Sequence, residues 1–268
     1  MDKQITKETY RTHGVAVTKY TPKERQHKTP VIMVHGGNHG AWCWEQWAEL
    51  FCQAGYEVHA LDWYSHGDSD HLPEADFLKR SIASVASEEI TFVAEQTTRA
   101  PILVGHSMGG LASAVYAAKA PVERLILVAP VLPSAARAEP IPLPVDMTKP
   151  FQPFTYEQAK QFFFTTLDDA EAHKYHALLV PESPQAVHEA TQWSVDVPVA
   201  NIAGPVLVIG DELDHLIPAA PLETYAQMLD AEYFQVPAVG HCDLLLKEPV
   251  SQQTAQRALD WLAGNPVE

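Results

Sequence analysis

Pro101-Ile-Leu-Val-Gly-His-Ser-Met-Gly-Gly110 is the stretch on which the reading of the whole chain turns. It opens with the apolar run Ile102–Val104 and passes through Gly105-x-Ser107-x-Gly109 into Gly109–Lys119, whose apolar spacing predicts a helix. A serine hydroxyl is a poor nucleophile and must be presented to a base on a sharp turn. The flanking glycines let such a turn pass close to neighbouring backbone without Cβ clashes. A serine at the start of a helix also meets free N–H groups and the positive end of the dipole, which favour developing negative charge. The stretch lacks the lysine of a phosphate-binding loop, so it is not read as one.

Further apolar runs lie on either side, at Val31–Val34, Val58–Leu61, Leu125–Val128, Val206–Ile209 and, more mixed, Tyr233–Val236. Each is continuous rather than alternating, as expected of strands buried on both faces. Helical spacing fills the intervals at Trp47–Ala54, Ile82–Gln96, Gly109–Lys119 and Pro221–Leu229. This alternation predicts an α/β fold: a mostly parallel, twisted sheet with helices on both faces. At the start, Ile5–Tyr10 and Val15–Tyr20 flank His13-Gly14 and predict an antiparallel hairpin at the sheet edge. Seven prolines between Pro130 and Pro153 forbid regular helix or central strand there. An aromatic, helical stretch, Thr155–Trp193, follows, and the sheet pattern resumes at Pro205. The expected organisation is a core domain from residues 1–129 and 204–268, with 130–203 inserted as a small helical lid. Its phenylalanines, Phe151, Phe154, Phe162, Phe163 and Phe164, are expected to roof an apolar pocket or to form the lid's own core.

Composition excludes several classes. Of 268 residues, 46% are apolar and 19% charged, enough for a sizeable core and unlike a disordered chain. Lys plus Arg total 18 against 34 Asp plus Glu, a formal charge of −16, which disfavours nucleic acid and anionic membrane surfaces as partners. No apolar run approaches the ~18 residues of a membrane span. The polar start, MDKQITKETYRTHG, is unlike a signal peptide, and Cys43, Cys52 and Cys242 are odd in number with no CxxC spacing. Both features suit a reducing cytoplasm.

Four stretches in order resemble the α/β-hydrolase fold family: His35-Gly-Gly-Asn-His-Gly-Ala-Trp-Cys-Trp44, Asp62-x-x-x-His66-Gly67-x-Ser69, Gly105-His-Ser-Met-Gly-Gly110, and Glu212-x-Asp214-x-x-x-Pro218 followed by Gly240-His241. The first is similar to the branch containing plant methyl esterases and hydroxynitrile lyases. The resemblance implies a serine esterase whose acid and base follow the nucleophile as Ser, Asp, His. On that pattern the catalytic residues are Ser107, Asp214 and His241, with Asp211 as a competing acid. The oxyanion hole is expected from the backbone N–H groups of Gly37 and Met108. His35 is expected to brace its loop, as are Asp62, His66 and Ser69 theirs. His35 and His39 share i,i+4 spacing but lie in a glycine-rich loop without a third ligand, so no metal site is expected, and no cofactor.

The expected reaction is hydrolysis of small apolar carboxylic esters through an acyl-enzyme on Ser107. Alternatives with the same triad are a C–C bond hydrolase or lactonase, and from another class a ligand-binding or signalling protein on a hydrolase scaffold. Relatives that open epoxides carry Asp where Ser107 stands, and ring-fission hydrolases commonly carry Asn where His106 stands. Hydroxynitrile lyases of the similar branch carry Thr and Lys where this chain has Gly36 and Cys242. Each departure points to simple hydrolysis.

Overall fold

A computed structural model describes residues 5–267. The expected edge hairpin forms from β1 (Ile5–Thr12) and β2 (Val15–Pro22), paired in register from Ile5–Pro22 to Thr12–Val15. His13 and Gly14 both have positive φ, 50° and 83°, the two-residue turn whose twist matches the strands it joins. β2 then lies antiparallel to β4 (Val58–Leu61). The remaining strands are β3 (Val31–Val34), β5 (Ile102–His106), β6 (Arg124–Val128), β7 (Val206–Asp211) and β8 (Glu232–Val236). They run parallel to one another in an eight-stranded sheet of order β1-β2-β4-β3-β5-β6-β7-β8.

Alternate side chains along the buried strands enter two cores. Ile32, Val34, Leu103 and Leu125 pack on one face with α3 (Ile82–Val85), α5 (Met108–Ala117) and α9 (Ala219–Met228). Val31, Met33, Val104 and Ile126 pack on the other with α1 (Glu45–Gln53), α10 (Asp243–Leu246) and α11 (Val250–Gly264). Every residue of α5 is buried, which is why its sequence is apolar on all sides. The helix expected over Ile82–Gln96 is instead interrupted: after α3 comes a π turn, Ala86–Ile90, before α4 (Thr91–Ala94). The π turn coincides with Glu89, wholly buried, which pairs with Arg80 and accepts from the Tyr64 N–H. A short α2 (Glu74–Phe77) precedes it.

Two features of this topology fix where chemistry can happen. β3 is followed in sequence by β4 on one side and has β5 on the other, so the chain order reverses between β3 and β5. The loops leaving these two strands diverge, and a crevice opens between them at the carboxyl edge of the sheet. Over this edge lies the segment between β6 and β7. Its proline-rich first half is irregular apart from a 3-10 turn at Ser134–Ala136 and one bridge, Phe151 to Glu182. Its second half holds α6 (Tyr156–Phe162), α7 (Asp169–His176) and α8 (Pro184–Gln192). Each starts on a side-chain cap: Thr155 with Gln158 in a reciprocal box, Asp168, and Ser183 followed by Pro184.

Candidate active site

Ser107 stands between β5 and α5 with φ 54° and ψ −123°, a conformation that costs energy for any residue but glycine. The neighbouring glycines make this turn possible. A Cβ on Gly105 would lie 2.4 Å from the Gly109 carbonyl oxygen, and one on Gly109 would lie 2.2 Å from that of His35. The elbow is therefore wedged against the loop after β3. Met108 opens α5, so its backbone N–H has no partner within the helix.

Asp214 and His241 are brought together from the loops after β7 and β8. Asp214 Oδ2 accepts from His241 Nδ1 at 2.8 Å, while Oδ1 accepts from the backbone N–H groups of Leu216 (2.7 Å) and Ile217 (2.9 Å). Burial pushes the Asp214 carboxyl upward, but His241 and the two amides outweigh it, and the net shift is downward. Asp211, the competing acid, ends β7 with both carboxyl oxygens buried and without a hydrogen-bond partner. Burial, reinforced by the negative charge of Asp214, pushes it up to about 10. It is a neutral acid beside an ionised one. His241 Nε2 is buried with no partner, so no bond to the Ser107 hydroxyl is formed in this arrangement. Such bonds commonly tighten only when substrate binds.

The loop after β3 is braced by its histidines. His35 donates from Nδ1 to the Gly36 carbonyl (2.7 Å) and accepts at Nε2 from the Trp63 N–H (3.0 Å). Both partners fix it as a neutral tautomer, and burial lowers its pKa well below the usual range. His39 donates from Nδ1 to the Gly37 carbonyl (2.7 Å), and its Nε2 faces the Cys242 thiol at 3.4 Å. Burial lowers it to about 4. Asp62 holds the Ala41 and Asp68 N–H groups, and Ser69 donates to the Asp62 carbonyl. Trp44 and Trp47 are core; Trp42 stacks between His39 and Tyr175.

Ser107, Met108 and Gly37 share the lining of one narrow cavity with Phe151, Phe154, Phe163 and Trp193. Of the five expected phenylalanines, Phe162 packs on Phe154 outside this lining and Phe164 is buried core. Phe163 also lies over the His241 ring, centroids 6.3 Å apart. The lining carries no charged side chain. A larger groove of about 770 Å³ lies at the opposite edge of the sheet, beside Thr29, Arg99 and the end of α11, and contains none of these residues. Among the described residues, two groups of side chains could converge on a metal: His106, His241 and Cys242, and Asp211, Asp214 and His241. Neither is poised to do so. Burial raises the Cys242 thiol well above its ordinary range, Asp211 is neutral, and both Asp214 oxygens already accept hydrogen bonds.

The alpha/beta hydrolase family model matches residues 31–253, spanning both the elbow and the His241 loop. The chain belongs to the α/β-hydrolase family. Within it, the chain is 31% identical over 107 residues to norfluorocurarine synthase 1 of Strychnos nux-vomica, covering 39% of each chain. To the pFDCC methylesterase MES16 of Arabidopsis thaliana it is 34% identical over 83 residues, covering 30% of this chain and 29% of the relative. These matches span well under half the length of either relative. The structure of a thermophilic esterase from Thermogutta terrifontis superposes with a TM-score of 0.71 at 18% identity, covering 98% of this chain and all of that one, a likeness of fold.

Sequence reasoning missed two carboxylates in this α/β-hydrolase. Asp243 Oδ2 accepts from the Gly240 N–H (2.9 Å), the Thr166 N–H (3.0 Å) and the Thr166 hydroxyl (2.8 Å), tying the His241 loop to the segment between β6 and β7. Glu182, buried in that segment, reaches the Asn38 N–H (3.1 Å) and His66 Nε2 (3.0 Å). Neither lies in a motif. Only their isolation among apolar and proline neighbours, as in Val180-Pro-Glu-Ser-Pro184, hinted at a buried partner.

Proposed function

We propose that the protein hydrolyses small, uncharged carboxylic esters through an acyl-enzyme on Ser107. One observation carries this reading: the strained Ser107 elbow opens into an uncharged cavity, at the same sheet edge as the Asp214–His241 pair. His241, held by Asp214 with its proton on Nδ1, offers Nε2 as acceptor for the Ser107 proton. The hydroxyl oxygen attacks the ester carbonyl, whose oxygen becomes negative and is met by the Gly37 and Met108 backbone N–H groups. The imidazolium returns its proton to the departing alcohol. Water then repeats the sequence on the acyl-enzyme, with His241 again as base, and releases the acid.

The segment from 130 to 203 acts in this reading as the cap that selects substrate. It supplies Phe151, Phe154, Phe163 and Trp193 to the cavity, so the acyl group is recognised by apolar contact. Methylesterase relatives of Arabidopsis thaliana, MES16 among them, support ester cleavage as the reaction class. Gly36 supports it against cyanohydrin cleavage: a Cβ there would lie 2.8 Å from the Ser107 Cβ, leaving no room for a threonine without moving the elbow. The three cysteines are free and buried, which suits a reducing cytoplasm, and no helix among the described residues is long and apolar enough to cross a membrane. The test uses a fluorophosphonate probe and p-nitrophenyl esters. Wild type is expected to be labelled and to turn over; Ser107→Ala is expected to do neither. Labelling that survives Ser107→Ala would refute the mechanism.

A further inference from the structure

The oxyanion loop is pinned to the inserted segment at one residue. Asn38, in left-handed conformation at φ 63°, donates from its backbone N–H to Glu182 Oε2 (3.1 Å). Its carbonyl accepts from the Val180 N–H (3.0 Å), and its side-chain amide donates to the Val180 carbonyl (2.8 Å). Glu182 is 1% exposed, and its other oxygen accepts from the Ser183 N–H (2.7 Å). Its Oε2 is also close to the reaction: a Cβ built on Gly37 would lie 3.5 Å from it.

A lone carboxylate at that place would oppose catalysis, because an oxyanion forming at the Gly37 N–H would meet a like charge in a dry site. His66 removes the conflict. Its Nδ1 lies 3.0 Å from the Tyr64 carbonyl, which can only accept, so Nδ1 carries a proton. Nε2 lies 3.0 Å from Glu182 Oε2, and these two atoms share one more proton. Whichever atom holds that proton, the pair has no net charge. The other ionisable groups facing His66 do not upset the balance. His35 is fixed as a neutral tautomer, and the Asp62 carboxylate, held by the Ala41 and Asp68 N–H groups, favours the protonated His66 that Glu182 pairs with.

We propose that Glu182 and His66 are positioning residues for the oxyanion hole. Glu182 holds the Gly37–Asn38 backbone in place, and His66 cancels the charge that this carboxylate would otherwise turn on the oxyanion. The pair also couples the inserted segment to the catalytic loop, since Glu182 comes from the former and Asn38 from the latter. The proposal rests on the serine-esterase reading above.

The experiment is a double-mutant cycle on the full chain with p-nitrophenyl acetate, with rates normalised to sites titrated by the phosphonate probe. Glu182→Gln removes the charge at nearly the same shape but turns its NH₂ group toward the Asn38 or the Ser183 N–H, and is expected to lower kcat by no more than about tenfold. His66→Gln leaves the carboxylate uncompensated and is expected to lower kcat by about 10²-fold, comparable to losing an oxyanion donor, with KM nearly unchanged. The double variant is expected to recover to the level of Glu182→Gln. A double variant as poor as the product of the two singles would overturn the proposal, as would a His66→Gln enzyme with wild-type kcat. A second readout isolates charge from mere structure. An aryl trifluoromethyl ketone forms an anionic tetrahedral adduct on a serine, whereas the parent methyl ketone binds as a neutral molecule. His66→Gln is expected to weaken the first and spare the second; equal weakening of both would overturn the proposal. If His66→Gln does not fold, Glu182→Asp decides. It keeps the charge but withdraws the carboxylate from Asn38, so kcat should fall, and an unchanged kcat overturns the positioning role. Failure of the underlying reading looks different: wild type and Ser107→Ala would then be indistinguishable on every ester, and this proposal would fall with it.

Discussion

Asp211 and Asp214 are three residues apart and both side chains are buried, yet replacing each by asparagine should have very different consequences. In Asp214→Asn, two backbone N–H groups, from Leu216 and Ile217, compel the amide oxygen to take the place of Oδ1. The NH₂ group must then face His241 Nδ1 and donate to it. That forces the imidazole proton onto Nε2, the atom needed to accept from Ser107. The expected loss in kcat is about 10⁴-fold, or about 5.5 kcal/mol of barrier. Asp211, pushed up to about 10, is already neutral near pH 7, so asparagine changes little electrostatically and kcat should fall less than about tenfold. Stability separates the two further. A carboxyl neutral in the folded state and ionised in the unfolded one is most favourable below the ordinary carboxylate value near 3.8. It costs progressively more as pH rises toward about 10. By pH 7 the cost has an upper bound of about 4 kcal/mol. Asp211→Asn carries no such cost, so its stability relative to wild type should improve between pH 5 and pH 8. Ester kinetics and urea unfolding at both pH values measure these effects. A larger kcat loss for Asp211→Asn than for Asp214→Asn, or a stability difference that does not change with pH, would refute the assignment of charge within the pair.

Three further outcomes are expected. Gly36→Thr, whose Cβ would press on Ser107, should lower esterase kcat at least about 10²-fold, in line with the cost of misplacing reacting groups, and neither it nor wild type should release cyanide from mandelonitrile above the uncatalysed rate. Phe163→Ala should enlarge the cavity beside His241 and shift kcat/KM toward bulkier uncharged acyl groups, read from a p-nitrophenyl ester series. Trp47→Ala, at a fully buried side chain whose indole N–H donates to the Leu244 carbonyl, should destabilise by about 3–5 kcal/mol in urea unfolding.

The parallel sheet was legible because burial on both faces demands continuous apolar runs: Val31–Val34 and Leu125–Val128 carry nothing else, and Val58–Leu61 is broken only by His59. The hairpin was legible because positive φ at two adjacent turn positions strongly favours residues like His13-Gly14. The break in the helix after α3 was not. Ala86–Ile90 has ordinary helical spacing, and the π turn coincides with Glu89 meeting Arg80 and the Tyr64 N–H, contacts that periodicity does not encode.

The same distinction runs through the candidate site. Gly105, Ser107 and Gly109 could be read from sequence because a strained elbow packed against the His35 carbonyl restricts residue type at each position within one short stretch. Asp214 could be preferred only by resemblance; its physical warrant, the paired N–H groups of Leu216 and Ile217, appears once the loop is folded. Glu182 could be suspected of burial but not given a partner, since His66 is 116 residues away and the two meet only where the segment between β6 and β7 crosses the sheet edge. Steric demands are local and leave a motif. Charge compensation is made across the fold and leaves none. In this α/β-hydrolase the groups that carry out bond making should therefore be the conspicuous ones. Those that set the electrostatic field around them, Asp211 beside Asp214 and the sequence-distant pair His66 and Glu182, carry no motif and must be sought by asking which buried carboxyls hold or share a proton.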